Sequence, residues 1–343
     1  MSENVTQQPR VSVVLPVRNG ASSLSAAIDS IRAQTELRWE LIVINDGSTD
    51  DTGQILADLA NADPRIRVAT TTPLGIVQAL NLGVDHAHAP LIARMDADDV
   101  AHPRRLAMQC DYLDSHPEIG LVSCLVEFKS TAGAAGGYER HVTWLNSVRS
   151  PDEIRRQRFI ESPMAHPSVV FRKSILNEHG GYHEGDFPED YELWLRWLEA
   201  GVVMGKIPQT LITWNDGPGR LSRTCPRYSV DAFYRIKARY LARWVKSCAS
   251  GRPVWIWGAG RVTRRRAEWL LKEGVACAGW IDIDPRKIGK FHAERRVCSP
   301  ESLLSSPRPF VLAYVGSWEA REIIAGWLAR NGFVEETDYL LCA

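Results

Sequence analysis

The sequence lacks closely spaced cysteine pairs, long apolar runs and an excess of charge of either sign. Its seven cysteines never lie within three residues of one another, which excludes a CxxC metal or redox site. Scattered thiols without a recognisable signal peptide predict a reducing cytoplasm. No apolar stretch reaches the roughly 18 residues that span a bilayer. Lys+Arg 41 balances Asp+Glu 41, so composition gives no electrostatic case for nucleic acid as the main partner. We expect a cytoplasmic protein, either in solution or at the inner face of the membrane.

What remains is a globular composition arranged as alternating strands and helices. A length of 343 residues predicts two domains, at about one domain per 150 residues. Strand-like runs at 11–16, 40–46, 66–70 and 91–96 alternate with segments whose apolar residues recur at helical spacing. This alternation predicts a mainly parallel sheet covered on both faces, with ligands at the carboxyl ends of its strands.

The stretch "LIARMDADDV" (91–100) ends one of these strands with three acidic residues. Asp96, Asp98 and Asp99 stand within four positions and repel one another, so a cation or open water must lie beside them. Two other polar segments, at 16–20 and 45–48, follow the first and second strands. The sequence therefore predicts a ligand crevice lined by all three segments.

The rest of the chain predicts a linker and a second, smaller unit. A Gly/Ala-rich turn at 131–139 interrupts the pattern, helices follow at 151–160 and 188–201, and residues 214–226 are loop-like. A long basic helix at about 228–246 precedes a boundary at 250–253, after which strand–helix alternation restarts. The predicted domains are 1–215, a helical linker 216–250, and a small α/β domain 251–343.

Five motifs in the first part of the chain resemble those of the family 2 glycosyltransferases. They are "SVVLPVRNGASSL", "ELIVINDGSTDDT", "ARMDADD", "HPSVVFRK" and "FPEDYELWLRW", and the match covers about residues 10–215. The resemblance implies an α/β protein with the A-type glycosyltransferase (nucleotide-diphospho-sugar transferase) fold, followed here by a small Rossmann-like domain. It implies an inverting enzyme that moves a sugar from a nucleotide-diphosphate donor, by expectation a UDP-sugar, to a hydroxyl of a glycan or lipid-linked glycan.

The same resemblance assigns a donor site. Asp98 would supply oxygen to Mn²⁺ or Mg²⁺, Asp96 would bond the ribose hydroxyls, and Asp46 the base, with Asp99 supporting the loop or the sugar. The cation would both bind the diphosphate and stabilise its departure. The implied donor-binding residues are Pro16, Val17, Arg18, Asn19, Asp46, Gly75, Asn81, Arg94, Asp96, Ala97 and Asp98. For Gly75 and Asn81 a second interpretation stays open, as a helix cap and a polar surface residue.

Sugar transfer also needs a base for the proton of the acceptor hydroxyl, and Asp190 matches the family's catalytic base. Its neighbour Glu189 matches an acidic position beside it. Acidic residues in a first helical turn also stabilise the helix dipole without catalytic work, which is the competing interpretation for both. One base acting opposite the leaving group implies inversion at the anomeric carbon.

Three other features have two interpretations each. His166 could shape the acceptor pocket or lie in the core. Arg220 and Arg223 could close over the diphosphate or remain in an exposed loop. The basic residues of the 228–246 helix could contact anionic lipid as a peripheral membrane surface or form a solvated face.

The last predicted domain begins with a partial dinucleotide-binding fingerprint, "VWIWGAGRVTRR". Gly258 and Gly260 follow a strand, and Asp282 stands about 20 residues on as a ribose ligand. Thr263 occupies the position of the third glycine. A cofactor site and a degenerate domain used for packing or homo-oligomerisation are therefore both open.

Two functions from other classes compete with sugar transfer. One is a nucleotide-sugar binding protein without turnover, against which intact Asp98 and Asp190 argue. The other is a nicotinamide-dependent oxidoreductase built on the fingerprint, but no Ser/Tyr-x-x-x-Lys pair follows it. Binding of UDP and of NAD would distinguish these functions.

Overall fold

The computed structural model describes residues 8–130, 136–217 and 220–343, which pack as two compact units. The first unit contains the described residues up to Arg155, then Pro163–Gly185 and Glu189–Thr224. The second contains Arg156–Ser162, Asp186–Pro188 and Cys225–Ala343. The helix predicted as a linker thus packs in the second unit, while the functional division into three domains stays a prediction. No helix among the described residues is both long and apolar enough to cross a membrane.

The chain through Thr224 alternates strands and helices, as expected. Its elements are β1 Val11–Val17, α1 Leu24–Arg32, β2 Trp39–Asp46, α2 Thr52–Ala62, β3 Ile66–Thr71, α3 Ile76–Asp85, β4 Leu91–Arg94, β5 Val100–Ala101, α4 Arg105–Ser115, β6 Ile119–Ser130, α5 Gly136–Ser147, α6 Pro151–Gln157, β7 Val170–Arg172, α7 Lys173–His179, α8 Glu189–Glu199, β8 Val203–Asp216 and α9 Leu221–Thr224.

The strands form one eight-stranded sheet in the order β3-β2-β1-β4-β7-β6-β8-β5. Strands β3, β2, β1 and β4 are parallel, whereas β7 runs antiparallel to both of its neighbours. The chain leaves β1 for β2 on one side and returns to β4 on the other. A crevice opens where the strand order reverses in this way, so the carboxyl ends of β1 and β4 mark the expected ligand position.

Burial explains why these segments form strands and how α3 is positioned. Strands β1 and β2 are buried along their whole length, as expected for the central strands of a sheet covered on both faces. A Cβ on Gly83 of α3 would lie 2.5 Å from Cγ1 of Val14 in β1. Only glycine allows this close approach, which brings α3 against the strand that opens the crevice.

Two segments differ from the sequence-based prediction. Residues 131–135 of the predicted turn lie outside the described residues, but α5 begins at Gly136, because buried Val142, Trp144 and Leu145 give it an apolar face. The predicted loop at 214–226 is wrong at its start, where β8 continues to Asp216 through its pairing with β6. Residues 218–219 of that loop lie outside the described residues.

The second unit contains the restarted alternation and the long basic helix. Its elements are α10 Val230–Cys248, β9 Val254–Trp257, α11 Arg261–Lys272, β10 Cys277–Ile281, β11 Phe291–His292, β12 Arg295–Cys298, β13 Phe310–Ala313, α12 Trp318–Arg330 and β14 Tyr339–Leu341. The sheet order is β11-β12-β10-β9-β13-β14, and all pairs except β11–β12 are parallel. This is the expected Rossmann-like arrangement, with its core between Trp257, Val311 and Leu328.

Candidate active site

The three carboxylates that follow β4 lie together. Asp96, Asp98 and Asp99 each place a carboxylate oxygen within 4.8 Å of the others. The Asp96 and Asp98 side chains are 23% and 39% exposed, whereas Asp99 is buried. The cluster thus has two accessible carboxylates and one interior one. Oxygen donors of this kind are the ligands that Mg²⁺ and Mn²⁺ prefer.

Asp99 connects the cluster to the end of β8. Its Oδ1 accepts the N–H of Asn215 at 2.9 Å, and Asn215 Nδ2 donates to the Asp98 carbonyl at 2.8 Å. Asp99 Oδ2 is buried, and no described residue donates a hydrogen bond to it. Burial, together with the charge of Asp96, raises the pKa of Asp98 and raises that of Asp99 further. A cation at the cluster would relieve this repulsion, so the donor set fits a divalent metal.

Two arginines place positive charge beside the three carboxylates of the cluster. Arg94 is 4% exposed and forms an ion pair with Asp96. Burial alone lowers the pKa of Arg94, but Asp96 outweighs this and raises it. Arg220 approaches from the segment after β8, with its Nε 3.8 Å from Asp98 Oδ2 and its Nη2 4.0 Å from Asp96 Oδ2. The carboxylates therefore face cations that belong to the protein.

Arg220 and Arg223 are both held in place by residues of β8. The Arg220 guanidinium carbon lies 4.8 Å from the ring centroid of Trp214. Arg223 forms a two-pronged ion pair with Asp216, and this pairing lowers the pKa of that carboxyl. Arg220 therefore lies beside the acidic cluster, whereas Arg223 is bound to the end of β8.

The loops after β1 and β2 meet beside the cluster. The backbone N–H of Asn19 donates to Ser48 Oγ at 2.9 Å, and Asn19 Oδ1 accepts the N–H of Thr49 at 2.8 Å. A Cβ on Gly20 would lie 3.7 Å from that of Ala97. The three polar segments predicted to line one crevice do converge. Within the first of them, Pro16 and Val17 end the buried strand and Arg18 is exposed.

Asp46 shapes the loop that precedes α3. Its Oδ1 accepts the N–H of Leu74 at 2.5 Å and its Oδ2 accepts that of Gly75 at 3.0 Å. Gly75 has a φ of 91° and precedes the helix, a conformation that favours glycine. Gly75 stands at the N-cap position of α3 and Asp46 fixes the turn before it, while a role of Gly75 in donor binding stays a prediction.

Asn81 contacts the backbone of a distant segment. Its side-chain amide makes two hydrogen bonds with Tyr182, donating to the carbonyl at 2.9 Å and accepting the N–H at 3.0 Å. A Cβ on Gly181 would lie 2.7 Å from Asn81 Oδ1, so glycine is required beside it. Asn81 thus ties α3 to the segment that leads into α8.

Asp190 stands in the first turn of α8. The residue is half-buried, and burial together with the charge of Glu189 raises the pKa of Asp190 to about 7. The N–H of Tyr191 and the positive charge of Arg94 oppose this shift. Arg94 also pairs with Asp96, so one buried cation acts on both the acidic cluster and Asp190. A carboxyl with such a pKa can accept a proton near neutrality.

His166 lies in the interior, as one of its two interpretations predicts. Its Nε2 lies 2.8 Å from Tyr182 Oη, and its ring packs edge-on against Trp194 at 5.9 Å between centroids. Burial lowers the pKa of His166 well below its usual value, which keeps the imidazole neutral. Its contact with Tyr182 links it to Asn81.

Sequence reasoning missed Arg105, which is fully buried in α4. Its Nη2 donates to the Arg94 carbonyl at 2.8 Å, and its Nε donates to Gln109 at 3.0 Å. Arg105 thereby holds the strand end from which the acidic cluster begins. The only signal in the sequence was that Arg105 falls on the same helix face as Leu106, Cys110 and Leu113. Because arginine is seldom fully buried, that position did not predict an interior role.

In the second unit, side chains of the protein itself occupy the turn that carries the dinucleotide-binding fingerprint. A Cβ on Gly258 would lie 2.8 Å from Cγ2 of Thr263. Asp282 Oδ2 accepts hydrogen bonds from the N–H of Ala259 and from Lys287 Nζ, both at 2.9 Å. Thr263 thus lies against the turn, and the carboxylate predicted to bind a ribose is already paired.

The comparison with protein families matches a part of the chain that contains the acidic cluster and ends before Asp190. The family model "Glycosyl transferase family 2" matches residues 12–180. The amylovoran biosynthesis glycosyltransferase AmsE of Erwinia amylovora is 31% identical over 192 residues, covering 55% of this chain and 69% of that protein. The Escherichia coli UDP-Gal:alpha-D-GlcNAc-diphosphoundecaprenol beta-1,3-galactosyltransferase is 28% identical over 208 residues, covering 60% and 73%.

Solved structures give the fold. TarS 1–349 of S. aureus in complex with UDP-GlcNAc superposes with a TM-score of 0.54 at 16% identity, covering 77% of this chain and 71% of that one. The mannosyltransferase PcManGT of Pyrobaculum calidifontis, in complex with GDP-Man and Mn²⁺, gives 0.50 at 21% identity, covering 70% and 64%. The predicted A-type transferase fold is confirmed.

Proposed function

Because this chain belongs to family 2 of the glycosyltransferases, we propose that it transfers a sugar, with inversion, from a nucleotide-diphosphate donor to a hydroxyl acceptor. The donor we propose is a UDP-sugar, and the acceptor a glycan or lipid-linked glycan. The name of the Escherichia coli relative, which specifies UDP-Gal and a diphosphoundecaprenol-linked sugar, supports both choices.

One observation carries the proposal: Arg94 forms an ion pair with Asp96 of the acidic cluster and also acts electrostatically on Asp190. The cluster offers accessible oxygens from Asp96 and Asp98, and Asp190 has a pKa of about 7. Donor activation and proton removal need these two kinds of group at one site. A binding protein without turnover needs no base of this pKa.

Asp98 would hold Mn²⁺ or Mg²⁺, with Asp96 beside it. When bound, the cation offsets negative charge on the diphosphate, which favours donor binding and departure of the nucleotide. Arg220 approaches the same two carboxylates, so we place it next to the diphosphate as a second positive charge.

The nucleoside would lie across the loops after β1 and β2. We assign it Pro16, Val17, Arg18, Asn19 and Asp46, with Gly75, Asn81, Arg94, Asp96 and Ala97 completing the donor site. Among these, Asp46, Asn81 and Arg94 also have structural partners, so they would act largely by holding the loops in shape.

Asp190 would take the proton of the acceptor hydroxyl while that oxygen attacks the anomeric carbon. The new bond forms on the face opposite the departing diphosphate, which inverts the anomeric centre. The raised pKa of Asp190 matches this task, because a base whose pKa lies near the working pH accepts a proton most effectively.

A panel of UDP-, GDP- and dTDP-sugars, each incubated with the protein and Mn²⁺, tests the proposal. We expect slow release of nucleotide from at least one UDP-sugar without acceptor, and suppression of that release by chelator. Absence of release from every donor, or release that chelator does not change, contradicts the proposed function.

A further inference from the structure

Helices α10 and α11 of the second unit concentrate positive charge that the whole chain does not have. Their sequences contain ten basic residues against two acidic ones, whereas the complete chain balances Lys+Arg 41 against Asp+Glu 41. Lys237 is buried and bonds the carbonyl of Cys342, so it belongs to the interior. The sugar-transfer chemistry proposed above uses none of these residues.

Contacts between the two helices show that their charged faces lie side by side. Arg265 Nη2 is 3.6 Å from Asp231 Oδ1, Arg235 lies over the ring of Trp269 at 5.7 Å, and Arg239 Nε is 3.9 Å from Glu273 Oε1. From one contact to the next, the residue number rises by four in α10 and by four along α11, which is about one helical turn in each. The helices therefore run in the same direction, with one stripe of each in contact.

The cations on these stripes remain accessible. The Arg239 and Arg265 side chains are 50% and 63% exposed, and Lys246 and Lys272 are exposed at the far ends of their helices. Asp231 and Glu273 offset the charges of Arg265 and Arg239, whereas no carboxylate of the described residues forms an ion pair with Lys246 or Lys272. The combined face is therefore positive and available to an anionic partner.

Apolar side chains on the same stripe indicate which anion. Val262, Arg265, Trp269 and Lys272 recur at helical spacing on α11, where Val262 is 55% exposed and Trp269 half-buried. Lys272 Nζ lies 4.4 Å from the Trp269 ring centroid. A soluble polyanion would leave these apolar groups in water, whereas the headgroup region of a bilayer accepts valine, tryptophan and cations together.

We propose that the α10–α11 face, defined by Arg239, Lys246, Val262, Arg265, Trp269 and Lys272, binds the surface of a membrane rich in anionic lipid. The attraction is between the net positive charge of this face, chiefly Lys246 and Lys272, and the lipid phosphates, with Val262 and Trp269 entering the headgroup region. This peripheral contact is independent of the sugar-transfer reaction, so either proposal can fail alone.

Co-sedimentation of the full chain with vesicles, without nucleotide, tests the proposal. We expect binding to vesicles of phosphatidylglycerol and phosphatidylcholine but not to phosphatidylcholine alone. Raising NaCl from about 0.1 M to about 1 M shortens the Debye length from about 10 Å to about 3 Å and should release the protein. Equal binding to both kinds of vesicle, or none to the anionic ones, overturns the proposal. Binding to heparin without binding to anionic vesicles overturns it as well.

A quadruple variant locates the surface. Arg239→Gln, Lys246→Gln, Arg265→Gln and Lys272→Gln together should lower the vesicle partition coefficient at least about tenfold, since each cation near an anionic surface contributes substantially. The matched control replaces Arg38, Arg286, Lys290 and Arg330 by glutamine, exposed positions elsewhere, and should lose much less. Equal loss in the two variants refutes the assignment.

Single variants keep the test decisive if the quadruple variant does not fold. Lys246→Gln and Lys272→Gln change exposed side chains, and circular dichroism can verify that each is folded. We expect each to lower the partition coefficient about twofold or more. Unchanged partition in both folded variants overturns the proposal.

Discussion

Asn81 satisfies both backbone polar groups of Tyr182, although 101 residues separate the two in sequence. Removing it by Asn81→Ala leaves these groups unpaired, which we expect to cost about 1–3 kcal/mol in the free energy of unfolding. Because Tyr182 leads toward α8, kcat should fall while the Kd for UDP changes little. Thermal unfolding, calorimetry with UDP and turnover measure the three quantities.

Asn146 gives a matched control for that experiment. It makes the same pair of hydrogen bonds with the backbone of Val126, at 2.9 and 3.1 Å. Asn146→Ala should therefore lose similar stability without a comparable fall in kcat. A large loss of UDP affinity in folded Asn81→Ala would instead support a direct contact between Asn81 and the nucleotide.

Asp98→Asn should abolish binding of the divalent cation, because the amide keeps the shape of the side chain but removes its charge. Electron paramagnetic resonance of free Mn²⁺ measures this binding without turnover. Asp29→Asn, which changes an exposed carboxylate on α1, is the control and should bind Mn²⁺ like the parent. Unaltered Mn²⁺ affinity in Asp98→Asn would remove Asp98 from the metal site.

Arg220→Ala should strengthen binding of Mn²⁺ when nucleotide is absent. Arg220 competes with the cation for the carboxylates of Asp96 and Asp98, which lie 3.8–4.0 Å from its nitrogens, and a charge interaction at such a distance is on the order of 1 kcal/mol even in water, or about fivefold in Kd. Arg220→Lys retains the charge and should stay near the parent. Weaker Mn²⁺ binding by Arg220→Ala would show that the arginine supports the cation site rather than competing with it.

The rate should depend on pH through Asp190. The base acts without its proton, so kcat should rise about tenfold per pH unit below about 7 and level off above it. Burial is the main cause of this raised pKa and the charge of Glu189 adds to it, whereas the N–H of Tyr191 and the charge of Arg94 lower it. A rate already independent of pH above about 5 would contradict the assignment.

Local patterns predicted the strands and the acidic cluster, because an apolar β-strand followed by aspartates can be recognised within ten residues of sequence. Partners that lie far apart in the chain were not predictable. The N–H of Asn215 donates to Asp99, 116 positions earlier in the chain. Arg105 donates to the carbonyl of Arg94, and no local sequence pattern predicts that these two residues meet. Asn81 illustrates the same limit, since its motif allowed either a nucleotide contact or a polar surface position, whereas its side-chain amide bonds the backbone of Tyr182.

Pairing partners also decide where elements end. The segment at 214–216 has the asparagine, aspartate and nearby glycine typical of a loop, yet its pairing with β6 keeps it in the sheet. Likewise, the glycines at 136 and 137 hid the start of α5, whose apolar face becomes evident only from Val142 onward. Tertiary packing overrode local propensity in both cases.

Turnover and donor binding by Asp190→Asn, measured on the same preparation, test the central claim most directly. Asp186→Asn, an exposed carboxylate four residues earlier, is the matched control. If Asp190 is the general base, kcat falls by roughly 10²-fold or more in Asp190→Asn while the Kd for UDP with Mn²⁺ stays near the parental value. Sugar transfer by Asp190→Asn at the parental rate would contradict the account.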